Sequence, residues 1–123
     1  MAYEVLVVED SAAMRSFIAS TVEEIEGVTV TEAESGFQAL KELPRGSFDL
    51  IITDINMPDI NGLELIRFIR ENEKYKETPL IIVSTESSQR DRERGLALGA
   101  NAYLVKPFTP AALKEAVNRY LKD

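Results

Sequence analysis

The sequence contains no cysteine and no histidine. The first absence removes disulfides, thiolate catalysis and cysteine-ligated metals; the second removes the commonest general base and the commonest nitrogen ligand for metals. Any metal must then be a hard, oxygen-bound cation such as Mg²⁺ or Mn²⁺. Long hydrophobic runs are missing as well, and no stretch approaches the length that spans a bilayer. The opening residues Met1 to Glu9 have no basic region, and the apolar run Val5-Leu6-Val7-Val8 is too short for a secretory signal. A cytoplasmic protein without a membrane partner is expected. Basic residues are outnumbered, 14 against 21 acidic ones for a net charge of -7, and no locally basic face shows along the chain. Nucleic acid is therefore not an expected partner. A P-loop nucleotide hydrolase fails for want of G-x-x-x-x-G-K-[ST].

What is present, 45% hydrophobic and 28% charged residues in a chain of 123, suits one globular domain over residues 1–123. Val5 to Val8 reads as a strand, and Ser11 caps a helix with Met14, Phe17, Ile18, Val22 and Ile25 near one face, ended by Gly27. Val28 to Ala33 alternates like an edge strand, and Ser35-Gly36-Phe37-Gln38 reads as a capping box for a helix through Leu43. A third strand runs from about Phe48 to Thr53, and a helix from about Gly62 to Asn72 turns Leu63, Ile66 and Ile69 inward. A polar linker, residues 73–78, leads to a fourth strand from Pro79 to Val83. The next helix is charged from a start near Ser87, interrupted by Gly95 and closed by Gly99; with little to bury, it is expected to be the least stable. Asn101 to Val105 is a fifth strand, and Thr109 with Pro110 starts a last helix carrying Leu113, Ala116, Val117, Tyr120 and Leu121 on one face.

Strands this continuously apolar are covered on both faces, which predicts a parallel sheet of the doubly wound α/β class. The strand order 2-1-3-4-5 of a flavodoxin-like (βα)5 sandwich is taken from analogy with that class. Ligands there bind beyond the carboxyl ends of the strands. Those ends carry Glu9-Asp10, Asp54, Ser84-Thr85 and Lys106. With strands 1 and 3 adjacent, three carboxylates converge and call for a counter-cation, for which Mg²⁺ is the natural choice. A lysine and a hydroxyl opposite them suit a transferring phosphoryl group, and an aspartate can be its nucleophile.

Each residue alone has a plainer reading. Glu9-Asp10 is an ordinary acidic helix start, Asp54 a turn residue, Ser84 a loop cap and Lys106 a solvated cation. Tyr103 reads as half-buried packing and Arg90 to Arg94 as a solvated face. The conjunction favours chemistry, because four accidents would have to fall on four sheet ends with complementary charges.

These residues resemble the response-regulator receiver domains of two-component signalling along essentially the whole chain. The resemblance rests on Glu9-Asp10, Asp54 with Met57-Pro58 and Gly62, Ser84, and Lys106-Pro107-Phe108. Met14-Arg15, Asn56, Glu86 and Tyr103 bring it nearest to stand-alone chemotaxis receivers of the CheY type. The resemblance implies a signalling switch rather than an enzyme, with Asp54 phosphorylated by a histidine kinase or by acetyl phosphate. It implies Mg²⁺ held by Asp10, Asp54 and the Asn56 carbonyl, with Glu9 acting through water. Ser84 and Lys106 would contact phosphoryl oxygens, Lys106-Pro107 would be cis, and Ser84 and Tyr103 would move as the switch. Asn56 and Glu86 would tune dephosphorylation. A protein target would dock on helix 4, strand 5 and helix 5, where Arg92 replaces an apolar residue of the chemotaxis receivers. The chain is read either as a chemotaxis or motility regulator or as a receiver excised from a larger kinase or transcription regulator. A haloacid-dehalogenase-type phosphohydrolase is the enzymatic rival, but that class carries its nucleophile after the first strand, in D-x-D.

Overall fold

The computed structural model describes residues 2–86 and 89–121. Five strands, β1 (Tyr3–Val8), β2 (Val28–Ala33), β3 (Leu50–Asp54), β4 (Leu80–Ser84) and β5 (Ala102–Val105), alternate with α1 (Ala12–Glu23), α2 (Gly36–Glu42), α3 (Gly62–Glu71), α4 (Gln89–Ala97) and α5 (Pro110–Tyr120). All strands pair in parallel, in the expected order β2-β1-β3-β4-β5. The two-residue period of a strand divides each apolar run between two cores. Leu6, Val8, Ile51, Leu80 and Ile82 pack with Leu65, Ile66, Ile69 and Ala39 of α3 and α2. Val5, Val7, Leu50, Ile52, Ile81 and Val83 pack with Ile18, Val22, Leu113 and Val117 of α1 and α5. The expected apolar faces of α1 and α5 are all in that second core.

The helix starts follow local chemistry. Ser11, Ser35 and Thr109 each accept a backbone N–H three residues on, from Met14, Gln38 and Ala112. Gln38 reaches back to the N–H of Glu34, at 2.7 Å, one residue earlier than a capping box requires.

Several expectations are corrected. α1 stops at Glu23, and Gly27 sits beyond it in the turn with φ 85°. β3 begins at Leu50 and takes in Asp54 as its last residue. On α3 the inward face takes in Leu65 as well, fully buried, beside the half-buried Leu63 that packs against the same core. Tyr75, read as part of a polar linker, is buried, because its hydroxyl donates to the carbonyls of Leu43 and Gly46 while its ring stacks on Phe48. α4 runs unbroken through Gly95, where a Cβ would come 2.5 Å from Ile82 Cδ1. The glycine lets the helix lie on the sheet. The expected helix start near Ser87 lies outside the described residues.

Candidate functional site

The carboxyl ends of β1, β3, β4 and β5 bring Glu9, Asp54, Ser84 and Lys106 to one edge of the sheet. Asp54 ends β3 at a point where the chain folds back so tightly that a Cβ on Gly62 would lie 2.4 Å from the Asp54 carbonyl oxygen. Its Oδ1 accepts the N–H groups of Ile55 at 2.7 Å and Asn56 at 3.2 Å. Its Oδ2 accepts Lys106 Nζ at 3.1 Å. Lys106 Nζ also donates to Glu9 Oε1 at 2.6 Å, while Glu9 Oε2 accepts the Ser11 N–H at 3.0 Å. The peptide Lys106-Pro107 is cis.

Glu9 is 1% exposed and the Lys106 side chain 9% exposed, so this bridge is nearly dry. Burial pushes the Glu9 carboxyl above its ordinary range, and the neighbouring Asp54 adds to the push although Lys106 opposes both. Burial pulls the Lys106 ammonium down, but Glu9 and Asp54 outweigh it and hold it above its ordinary value. Asp10, by contrast, is exposed at the rim. One carboxylate oxygen from each of Glu9, Asp10 and Asp54 lies within 4.8 Å of the others, a group that could hold a metal ion. An all-oxygen acidic set with one member open to solvent fits a hard cation.

Ser84 and Tyr103 sit beside this cluster without joining it. Ser84 is fully buried and its Oγ accepts the Glu86 N–H at 3.0 Å. Tyr103 is buried rather than half-buried, with its hydroxyl on the Glu86 carbonyl at 2.8 Å. Arg90, Arg92, Glu93 and Arg94 are exposed, as a solvated face should be, and the Arg92 guanidinium stands 5.6 Å from the Tyr103 ring centroid. Asn56 and Glu86, both exposed, line a cleft of about 260 Å³ together with Asn61, Asp91 and Arg94. A separate groove of about 400 Å³ runs between α4, β5 and α5, lined by Arg92, Leu96, Tyr103, Ala112 and Tyr120.

Two supporting residues were given no role from the sequence, Arg15 having counted only toward the resemblance. Arg15 Nη1 donates to the Glu9 carbonyl at 2.9 Å and its Nε pairs with Glu32 at 3.3 Å, bracing the acidic turn. Asp59 accepts backbone N–H groups from the start of α2. No local pattern announces either role, since the partners are distant in sequence or lie on the backbone.

Fold and site together define a doubly wound α/β protein whose ligand edge carries an acid–lysine cluster. The response regulator receiver domain model matches residues 5–118. The chain is 41% identical to chemotaxis protein CheY1 of Helicobacter pylori over 113 residues, 91% of each chain. It superposes on chemotaxis response regulator CheY4 of Vibrio cholerae with TM-score 0.91 and 36% identity, covering 98% of this chain and 100% of that one. With the receiver domain of sensor histidine kinase PA1611 from Pseudomonas aeruginosa, solved with magnesium in its active-site cleft, the TM-score is 0.87 at 32% identity, covering 98% of each chain. The chain belongs to the response regulator receiver domain family, whose members are phospho-accepting signalling switches. Such receivers take their phosphoryl group from histidine kinases and act on protein targets.

Proposed function

We propose that Asp54 is the phosphoacceptor, with Mg²⁺ held by Asp10, Asp54 and the Asn56 carbonyl and with Glu9 acting through water. The observation that carries this reading is the Lys106 ammonium bridging Glu9 and Asp54, at 2.6 and 3.1 Å, beside the open carboxylate of Asp10. An Asp54 carboxylate oxygen attacks the phosphorus of a phosphohistidine; the P–N bond breaks and the histidine nitrogen leaves with the electron pair. The result is an acyl phosphate. Mg²⁺ held by these residues would supply positive charge against that of the carboxylates and the incoming phosphoryl group. The N–H groups of Ile55 and Asn56 hold Oδ1 and so orient the nucleophile.

Lys106 leaves Asp54 Oδ2 for a phosphoryl oxygen, and Ser84 exchanges the Glu86 N–H for another. Because Tyr103 is tied to the carbonyl of that same Glu86, movement of Ser84 reaches β5 and the groove between α4 and α5. This makes the groove the output face toward a protein target, and phosphorylation shifts a two-state equilibrium there. The names of the relatives support a role in chemotaxis or motility.

Incubation with acetyl phosphate, or with beryllofluoride, plus Mg²⁺ tests the assignment. The wild type is expected to gain a phosphoryl group or an analogue-dependent spectral change, and Asp54→Asn to gain neither. A wild type that stays unchanged refutes the switch. Exchange of Asn56 or Glu86, which line one cleft, is expected to alter the lifetime of the phosphoryl group with little change in Mg²⁺ affinity. A large, equal loss of metal binding refutes that role.

A further inference from the structure

Residues 55–61, between β3 and α3, carry Asn56 to the site, and this loop is anchored at both ends. At the near end Asp54 Oδ1 holds the N–H groups of Ile55 and Asn56. At the far end the exposed Asp59 carboxylate accepts the N–H of Gly36 at 3.2 Å and of Phe37 at 2.9 Å, the first residues of α2. Those N–H groups lack partners within the helix, so the carboxylate answers a need of α2 while fixing its own loop. The Phe37 N–H, ahead of smaller contributions, keeps the Asp59 carboxyl below its ordinary range, as a bond to the ionised form should.

The next residue seals the same seam. Ile60 lies so close to Gly36 that a Cβ there would come 2.8 Å from Ile60 Cβ. Met57 is buried in the core between the anchors. Asn56 is thus held on a short span pinned on either side, although it is itself exposed.

We propose that Asp59 is a positioning residue for the metal and phosphoryl site: by fastening the β3–α3 loop to the start of α2, it fixes where Asn56 presents its backbone carbonyl. This rests on the Asn56 and Mg²⁺ assignments above. The tether links the site to α2 near the β2 edge of the sheet, the side opposite the α4–β5–α5 groove.

Isothermal titration with Mg²⁺ alone, paired with thermal midpoints, tests the tether on the whole chain. Asp59→Ala is expected to weaken Mg²⁺ binding about fivefold, the equivalent of losing one capping interaction. Asp59→Asn keeps an acceptor for one of the two N–H groups and turns a donor toward the other, and is expected to fall between the wild type and Asp59→Ala. Gly36→Ala keeps the carboxylate and its charge but presses on Ile60, and is expected to weaken binding in the same direction. A lower midpoint in Asp59→Ala with unchanged Mg²⁺ affinity makes Asp59 a helix cap and nothing more, and overturns the proposal. Equal losses in Asp59→Asn and Asp59→Ala, with none in Gly36→Ala, assign the effect to charge and overturn it too. If the wild type binds no Mg²⁺, the metal assignment fails and this inference falls with it. Binding by the wild type with no change in any variant overturns the tether alone.

Discussion

Two cations are drawn into this protein at opposite edges of the sheet, and they meet different company. Lys106, at the carboxyl ends of the strands, is held by the carboxylates of Glu9 and Asp54. Arg70, on α3 near the other edge, donates to the backbone carbonyls of Gly99 and Tyr75 and to the Asn101 side chain. Carboxylates hold Lys106 above its ordinary value, whereas burial alone lowers Arg70. Neutral carbonyls satisfy a planar guanidinium permanently, because an arginine never gives up its proton in a protein. Two carboxylates around an ammonium form instead an arrangement that an incoming cation or phosphoryl group can redistribute. Burial of a cation is common to both places; the charge of its partners separates a clasp from a switch.

The sharpest way to break this contrast is Lys106→Met. Phosphorylation by acetyl phosphate is expected to slow on the order of 100-fold, the loss that follows removal of one donor from a developing oxyanion. Mg²⁺ is expected to stabilise this variant more than the wild type, since the ion takes over compensation of Glu9 and Asp54; thermal midpoints with and without Mg²⁺ check this. Arg70→Ala should do the reverse. It strips hydrogen bonds from the Gly99 and Tyr75 carbonyls and is expected to cost about 2 kcal/mol in denaturant unfolding, with phosphorylation changed less than about twofold.

A smaller effect separates the two edges by pH. Lys106 is raised above its ordinary 10.5, so the stability it supplies is intact below that pH and is lost as pH climbs through the higher folded value. Over that interval the native state alone keeps the proton. The stability difference between wild type and Lys106→Met is therefore expected to shrink above about pH 10.5, while that between wild type and Arg70→Ala stays level. A level difference for both pairs erases the distinction.

Much of the molecule was legible because its signals are local. Ser11, Ser35 and Thr109 act within three residues, and the apolar runs of β1, β3 and β4 need only a two-residue period to fill two cores. Asp54 and Lys106 stood out because each ends such a run. Tyr75 was misplaced because the carbonyls that draw its hydroxyl inward belong to Leu43 and Gly46, outside its own segment. Gly95 was misread as a break because its reason is Ile82 on a neighbouring element. Leu65 joins Leu63, Ile66 and Ile69 on the inward face because the rotation of α3 is set by what it packs on.

The sequence by itself determined the elements, the parallel class and the chemical inventory of the site, through periodicity, capping and the want of histidine and cysteine. Tertiary structure alone decided which charges meet. Lys106 and Glu9 are 97 residues apart; parallel strands put both on one edge, but only the packed order, with β1 beside β3 and β5 two strands beyond, lets the Lys106 side chain reach Glu9 and Asp54 together. The same is true of Asp59 and α2, 22 residues apart at Phe37. Local sequence sets what each segment can form and offer; distance between charges is a property of how segments pack, and energy in a nearly dry site depends steeply on that distance.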